Sequence, residues 1–249
     1  MKQLTINGLA PATARSCHNV LAGVLEAAVR DRLIGCNPAR GVQLPAIPPG
    51  REVYLSRAEV DQVAAAMADE VDRAVLLTLA YCGLRWGELG GLRRSRLAPD
   101  LSTLRVVETV IEVGGALSRK PYPKGRQART VPVPQRLRGV LDDHLRANHL
   151  GRADLPVFTI GTGEPLSRHR WPRAAFRPAV ASALGRSDVR VHDLRHSYAS
   201  WLVQAGVGLY QVSARLGHAD PETTARYAHL QPDAFGPTLS ALDADPDPG

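Results

Sequence analysis

The stretch VHDLRHSYASWLVQAGVGLYQVSARLGHADPETTARYAH, residues 191–229, decides the fold and carries most of the candidate chemistry. Its apolar positions follow a helical period, and Gly206 and Gly217 predict breaks that divide it into three short helices. A phenol in it is a poor nucleophile near neutral pH, because its reference pKa is about 10. Fixed cations would make that phenol useful against a phosphodiester by stabilising an oxyanionic transition state. The reactive side chains of the segment are those of His192, Arg195, His218 and Tyr227.

Two further cations lie upstream of this stretch. Arg85, in GLRWGEL at 83–89, supplies a second guanidinium, and Lys124, in a basic loop, is a candidate proton donor. Together these side chains fit phosphoryl transfer on a nucleic acid, and they predict a site that uses no metal ion and no other cofactor.

The composition narrows the class of protein. A chain of 249 residues with 44% hydrophobic residues is long enough for one large or two small folded domains. The formal charge of +7 favours a polyanionic partner, although weakly. Three scattered cysteines without a CxxC pair indicate a reduced, cytoplasmic setting. Neither a signal peptide nor an apolar run of the ~18 residues needed for a membrane span is visible, so we expect no membrane association.

The N-terminal part of the sequence predicts one helix and one linker. Residues 13–34 carry an apolar stripe, and Gly35 with Asn37-Pro38 is expected to end the helix. A lone amphipathic helix needs a partner to bury its stripe, so the chain is expected to begin partway into a helical domain. The proline- and glycine-rich stretch 38–50 is the best domain boundary in the sequence.

The rest of the chain predicts a mostly α protein with one small antiparallel β-sheet (α+β). Ser56 and Glu59 form a capping box that opens a helix. The β-branched run 103–113 and the later RTVPVP predict strands, and 118–129 between them predicts a basic loop. Further helices are expected at 71–82, 84–92, 135–147 and 171–184.

The segment 191–229, taken with GLRWGEL, resembles the tyrosine recombinase or phage integrase family. Two separated motifs match together with the internal spacing of the second, and the resemblance covers nearly the whole chain. It implies the C-terminal part of a helical core-binding domain, a linker, a catalytic domain and a tail. These parts are expected at 1–45, 46–52, 53–230 and 231–249.

The resemblance implies a role for each matching residue. Arg85 and Arg195 would hold the non-bridging oxygens of a scissile phosphate, and His218 would hydrogen-bond the same group. His192 matches the candidate general base. Tyr227 matches the nucleophile, which would form a 3′-phosphotyrosyl bond and release a 5′-hydroxyl.

Two positions match more loosely. Lys124 matches the hairpin lysine that protonates the leaving 5′-oxygen, with Lys120 as a rival. Glu88 matches an acidic residue that supports the site from behind. We expect His196 to be structural, and Tyr198 and Tyr210 to be packed or interfacial tyrosines, because both lie inside apolar helical stretches.

The implied partner is double-stranded DNA, with four subunits on synapsed DNA and a weak oligomer or a monomer without it. Residues 233–243 match a segment that docks into a neighbouring subunit. The expected setting is a bacterial or phage cytoplasm, associated with the nucleoid. Because the usual preceding helices are missing, a chain of this extent is expected to keep its phosphoryl-transfer capacity and bind DNA weakly.

Other readings of the same residues remain open. HDLRH at 192–196 is a blurred form of the zinc motif HExxH. The helix-Gly-helix pattern of 197–216 is also typical of a DNA-binding regulator without catalysis, which would not need Arg85 or Lys124. Type IB topoisomerases use similar side chains, but the wording of the motifs favours a recombinase.

Overall fold

The computed structural model describes residues 8–48, 52–114, 116–121, 128–148, 154–159, 166–217 and 222–232. The chain divides into two compact units, Met1–Arg51 and Glu52–Gly249. The domain limits proposed from the sequence stay a prediction, and each unit is described by itself.

The first unit is built on one long helix, α1 (Pro11–Arg30). Pro11 stands in the first turn, where its missing N–H costs no helical hydrogen bond. The chain after the helix folds back along it. The side-chain amide of Asn37 donates to the Ala22 carbonyl at 3.0 Å, and the Arg15 guanidinium donates to the Pro45 carbonyl at 3.0 Å.

The prediction of a helix over 13–34 was wrong at the C-terminal end, because α1 stops at Arg30. Arg32 adopts the left-handed conformation with φ of 59°, and the next amide, that of Leu33, donates to the Ala28 carbonyl at 2.8 Å. Such a residue ends a helix before any glycine is reached. The apolar stripe remains largely uncovered among the described residues of this unit, since its side chains are 55–70% exposed: Val20, Leu21 and Val24.

The second unit is mostly helical, as predicted. Its single-turn elements are Arg94–Arg96, a π-helical turn at Pro172–Phe176, and a 3-10 turn at Ala228–Leu230. Its helices are α2 (Arg57–Ala65), α3 (Glu70–Cys82), α4 (Trp86–Gly91), α5 (Gln135–Asn148), α6 (Arg177–Leu184), α7 (Val191–Gln204), α8 (Leu209–Leu216) and α9 (Glu222–Ala225).

The core of this unit surrounds α3. Residues Ala74 to Cys82 are all buried, and a helix that is buried on every side lies at the centre of a core. Helices α2, α5 and α7 pack around it. The predicted capping box at the start of α2 is confirmed, with Ser56 and Glu59 bonding reciprocally.

The strands correct the sequence analysis in two places. The run 103–113 is not one strand but two, β1 (Thr103–Val106) and β2 (Thr109–Val113). The predicted loop 118–129 begins inside a strand, β3 (Ala116–Lys120).

The strands also form two antiparallel sheets rather than the one predicted, among the residues described here. In the first sheet β1 pairs with β4 (Arg129–Pro132), and Val106 lies opposite Arg129. In the second, β2 pairs with β3 in a hairpin that places Val113 opposite Ala116. Because β1 and β2 each have their own partner strand, the continuous β-branched run must change sheets between them.

Helix α7 is anchored to the segment that precedes α2. The Leu55 amide donates to the Ser197 hydroxyl at 2.8 Å, and the Leu55 carbonyl accepts from the Trp201 indole at 2.9 Å. Both polar groups of a buried backbone unit are thereby satisfied by α7 side chains. This anchor fixes the helix that carries the HDLRH motif.

Candidate active site

A buried carboxylate, Glu88, lies at the centre of a cluster of arginines. Its two oxygens accept from the Arg129 guanidinium at 2.9 and 2.6 Å, and one oxygen also accepts from Arg85 at 2.9 Å. A nitrogen of Arg195 lies 3.9 Å from the other oxygen. These three cations surround one carboxylate, which leaves the four groups with a formal excess of two positive charges (three minus one).

The electrostatics keep Glu88 ionised. Burial alone would raise its pKa, but the hydrogen bonds and charge of Arg129, together with the charge of Arg195, lower the pKa of Glu88 to about 2. Burial has the opposite consequence for Arg195, whose pKa it lowers, with the nearby charge of Arg85, to about 9. Both groups are therefore charged at neutral pH.

The guanidinium groups of Arg85 and Arg195 converge on the C-terminal end of α8. The Leu216 carbonyl accepts from Arg195 at 2.5 Å and from Arg85 at 3.5 Å. Arg85 also donates to the Gly217 carbonyl at 3.2 Å. Terminal helix carbonyls carry a partial negative charge, so the cations are held where the backbone favours them.

The C-terminal end of α3 binds the other side of the Arg195 guanidinium. The guanidinium donates at 2.6 Å to the carbonyl of Gly83, the residue that caps α3. Gly83 has φ of 60°, and a Cβ at this position would lie 2.4 Å from the Tyr198 ring. Only glycine adopts this left-handed conformation without strain and also leaves room for the Tyr198 ring. These two requirements explain the glycine of GLR in the first motif.

His192 lies on the open side of the cluster. It lines a cavity of about 550 Å³ together with Arg85, residues of β2 and Arg168. Burial, with the neighbouring His196, Arg195 and Arg85, lowers the pKa of His192 to about 4. The ring is consequently neutral at physiological pH and available to accept a proton.

Tyr227 lies between α9 and the 3-10 turn at Ala228–Leu230, with only 1% of its surface exposed. Its hydroxyl is paired with Nδ1 of His196 at 2.5 Å. Burial raises the pKa of Tyr227 to about 12, against the smaller opposing effects of Arg226 and Arg195. The phenol is therefore protonated at neutral pH.

The segment around Tyr227 is tied to the start of the second unit. Arg226 donates to Glu52 at 3.1 Å, and the hydroxyl of Tyr54 donates to the same carboxylate. The rings of Tyr54 and Tyr227 lie 6.3 Å apart. These contacts position the phenol on the side of α7 that carries His196.

Two predicted site residues, Lys124 and His218, lie outside the described residues. The structure does place Lys120, the rival of Lys124, at the exposed end of β3, where it pairs with Thr109 of β2. The other predicted residues are in one region: Arg85, Glu88, His192, Arg195 and Tyr227.

Sequence reasoning missed two residues of this region. Arg129, the first residue of β4, donates hydrogen bonds to Glu88. Nothing in the sequence RTVPVP distinguishes this residue from a surface arginine. His196 was expected to be structural, and the structure gives it the hydroxyl of Tyr227. Its spacing of one helical turn from His192 was the available signal.

The other tyrosines of α7 and α8 differ from each other. Tyr198 is buried, as predicted, whereas Tyr210 is 84% exposed, so it is not packed and its interfacial reading stays a prediction. It stands on α8, a helix that buries only one face.

Among the described residues, we find no group of three or more metal-ligating side chains that could hold an ion. Within the same residues, no helix combines the length and the apolar character that crossing a membrane requires.

Known proteins resemble this chain in sequence over most of its length. The model of the phage integrase family matches residues 54–233. The integrase of Mycobacterium phage L5 is 32% identical over 93% of this chain and 63% of its own length. Tyrosine recombinase XerD of Pseudomonas aeruginosa is 33% identical over 84% of this chain and 68% of its own length. A prophage phiRv2 integrase of Mycobacterium tuberculosis is 29% identical, and the match spans 58% of that protein.

Solved structures share the fold. The Tn1549 transposon integrase in complex with a circular intermediate DNA superimposes with a TM-score of 0.77 at 18% identity, covering 97% of this chain and 82% of that one. XerA recombinase superimposes with a TM-score of 0.58 at 21% identity, covering 93% and 77%.

Proposed function

Since the chain belongs to the phage integrase family, we propose that it breaks and rejoins DNA strands at specific sites through a 3′-phosphotyrosyl intermediate. The chain spans 58–65% of the length of the mycobacterial phage and prophage integrases that it matches, so the proposal concerns the chemistry of the second unit first.

The observation that carries the proposal is the excess of two positive charges around Glu88. Uncompensated charge in a buried site is costly unless a ligand of opposite sign completes it. Two guanidinium groups that already meet at one carbonyl oxygen are well placed to hold two oxygens of a single phosphodiester. Such a clamp would also stabilise the extra charge of a pentacoordinate transition state.

The proposed reaction begins with attack of the Tyr227 oxygen on phosphorus, while a histidine of the HDLRH motif at 192–196 takes up the phenolic proton. The P–O5′ bond breaks, and Lys124 gives the leaving 5′-oxygen its proton. His218 would hydrogen-bond the phosphate. The new ester conserves the energy of the phosphodiester, so a different 5′-hydroxyl can reseal the strand by the reverse reaction without ATP.

Glu88 has a supporting part in this scheme. Its carboxylate orients Arg85 and Arg129 through direct hydrogen bonds, while its own pKa of about 2 ensures that it stays negative. Fixed orientation is what makes a preorganised charge effective in catalysis.

The alternative of a DNA-binding regulator without catalysis is not favoured. A regulator contacts phosphates with exposed cations, whereas Arg195 is 3% exposed and sits inside a buried ionic cluster. Burying the Arg129 and Arg195 side chains, at 8% and 3% exposure, is costly and has no use in simple groove binding.

The proposed partners follow from the reaction. Strand exchange between two duplexes requires four active sites, so we propose a tetramer on synapsed DNA and a weakly associated or monomeric protein without it. The segment 233–243, proposed to join neighbouring subunits, lies outside the described residues. We also propose a cytoplasmic setting, next to the nucleoid.

The test is covalent trapping. The full chain is incubated with a library of nicked duplexes of random sequence, and DNA that stays bound in denaturant is sequenced to recover a target. On a nicked duplex of that sequence, we expect Tyr227→Phe to form no adduct, with its thermal unfolding unchanged. Tyr210→Phe, at an exposed position, is the matched control and should react like the wild type.

A second variant separates binding from chemistry. Arg195→Ala should slow adduct formation by about 100-fold or more, the order seen when one oxyanion-stabilising donor is removed, and keep most of the DNA affinity. An adduct formed by Tyr227→Phe would remove this residue from its proposed role. Equal loss of folding and chemistry in Arg195→Ala would leave only a structural arginine.

A further inference from the structure

The hydroxyl of the proposed nucleophile is paired with a histidine that the family resemblance did not single out. Nδ1 of His196 lies 2.5 Å from the Tyr227 hydroxyl, and the two rings are 6.0 Å apart. His192, matched to the general base, lies one helical turn earlier, and its ring meets His196 edge-on at 4.8 Å. The described contact of the phenol is therefore with His196, while His192 faces the cavity beside Arg85.

We propose that His196, rather than His192, accepts the phenolic proton of Tyr227 when this oxygen attacks the scissile phosphate. The role rests on the proposed function and assigns one proton within it. The Oη–P bond forms as the P–O5′ bond breaks. The proton of Tyr227 moves to Nδ1 of His196, and the 5′-oxygen takes a proton from Lys124. The reverse step returns both protons.

The surroundings of His196 keep its ring neutral, as a proton acceptor must be before it takes up a proton. Burial, with the charges of Arg226 and Arg195, lowers the pKa of His196 to about 4, against the weaker effect of Glu52. The ring is neutral before the reaction, and a neutral ring paired with a protonated phenol accepts the hydrogen bond through its lone pair. This places the lone pair on Nδ1 and the ring proton on Nε2.

The same charges make proton storage on His196 temporary. An imidazolium at this position would face Arg195 and Arg226, and His192 across the edge contact. Like charges at such distances repel, so the proton is readily returned when the strand is resealed. A site that cleaves and reseals needs an acceptor of this kind.

His192 lies in a different part of the site from His196. It lines the cavity with Arg85 and Arg168. In this position the imidazole of His192 is nearer to the place of the phosphate or the leaving strand than to the hydroxyl of Tyr227.

The test compares His196→Asn, His196→Phe and His169→Asn on the nicked duplex recovered by covalent trapping. The amide oxygen of asparagine can occupy the place of Nδ1 and accept the hydrogen bond, but it does not take up the proton. We expect adduct formation by His196→Asn to be about 100-fold slower, the usual contribution of a general base. His169 is exposed, and His169→Asn should react like the wild type.

A sulfur leaving group locates the defect. On a duplex with a bridging 5′-sulfur at the nicked site, the departing thiolate needs no proton. Lys124→Ala should recover on this substrate, whereas His196→Asn should keep its deficit of about 100-fold. Circular dichroism and filter binding establish that each variant is folded and binds the duplex, and His196→Gln replaces His196→Asn if the latter unfolds.

The outcomes separate the two proposals. Adduct formation by His196→Asn at the wild-type rate overturns the assignment, even if His196→Phe is slow, because a hydrogen bond alone is then sufficient. Recovery of His196→Asn with the sulfur substrate also overturns it, since the residue would act on the leaving group. If the wild-type chain forms no adduct, the proposed function itself fails.

Discussion

At the scale of the residue, the decisive group is Glu88. Three arginines surround a side chain that is 1% exposed, and Arg85 and Arg129 are oriented by hydrogen bonds to its carboxylate. Because the carboxylate is paired and buried, its negative charge contributes to the stability of the folded state. The cluster thus links stability to the proposed phosphate clamp.

We predict that Glu88→Gln lowers the free energy of unfolding by about 3 kcal/mol, because removing one partner leaves buried charges uncompensated. Urea denaturation measures the loss. Glu70→Gln, which breaks an ion pair with Arg73 on an 84% exposed carboxylate, is the matched control and should cost less than about 1 kcal/mol. Equal losses in the two variants would mean that the buried cluster adds no stability.

The pKa of Glu88 sets the pH range of this effect. The folded-state pKa of about 2 lies below the ordinary value of 4.5. The ionised group therefore stabilises the fold above pH 4.5, and the contribution is lost as the pH falls from 4.5 towards 2. The difference between wild type and Glu88→Gln should shrink over this interval.

Two histidines of α7, the partly buried His196 and the more exposed His192, predict a second pH dependence. The pKa values of His192 and His196 are about 4 in the folded state and 6.5 ordinarily. Between these values the unfolded chain binds protons that the folded chain does not, so acidification destabilises the fold. We expect His196→Gln to lose about 1 kcal/mol less than the wild type between pH 7 and pH 5, after halving for residual solvent exposure.

Urea denaturation at the two pH values measures this difference. The exposed His169 offers the control, because His169→Gln should retain the full wild-type loss. A wild-type-like loss in His196→Gln would show that His196 is protonated in the folded protein at pH 5.

At the scale of the element, two helix ends do most to build the site. Helices α3 and α8 end in the left-handed glycines Gly83 and Gly217, and the carbonyls presented there accept hydrogen bonds from Arg195 and Arg85. The sequence indicates these ends through their glycines. It does not indicate that arginines from other helices will be bound to them.

We predict that Gly83→Ala lowers the free energy of unfolding by about 3 kcal/mol. The left-handed conformation costs an alanine about 1 kcal/mol, and a Cβ at 2.4 Å from the Tyr198 ring adds an overpacking cost of about 2 kcal/mol. Gly185→Ala is the matched control. Gly185 also caps a helix, with φ of 63°, but a Cβ there meets nothing within 4 Å, so only the first cost remains.

Chemical denaturation of both variants gives the comparison. Equal losses would mean that the Tyr198 ring moves aside without cost, and that the conformation of the backbone alone requires glycine at Gly83.

The elements also show where sequence patterns lose their information. Strand β3 has five exposed residues, so it lacks the alternation of apolar and polar positions that identifies a strand. Helix α1 stops at Arg30, two residues before the left-handed Arg32, and no glycine marks this end. By contrast, α3 and the Ser56 capping box follow local rules and were predicted correctly.

The site was predictable as a set of residue types, but its pairings were not. The HxxR spacing places His192 and Arg195 on one helix, and this much follows from the helical period. The contact between His196 and Tyr227 joins positions 31 residues apart. Only the packing of the tyrosine segment against α7 creates it.

At the scale of the whole molecule, charge is divided unevenly between the two units. Residues 1–51 contain six Lys and Arg and two Asp and Glu, a formal +4 out of the total of +7. All proposed catalytic residues belong to the other unit, 52–249. The first unit is therefore suited to affinity for a phosphate backbone, and the second to chemistry.

We predict that a chain limited to 52–249 forms the covalent adduct at an unchanged rate when the protein is saturating, but binds the duplex more weakly. The slope of log affinity against log salt is negative. For every phosphate that the shorter chain no longer neutralises, the magnitude of this slope should fall by about 0.9. Filter binding across a salt series measures this slope. The full chain with Arg30→Gln and Arg32→Gln is the control, which should reduce the slope while the unit stays in place. An unchanged slope in both proteins would mean that 52–249 binds all of the phosphates, and failure to form the adduct at saturation would place part of the chemistry in the first unit.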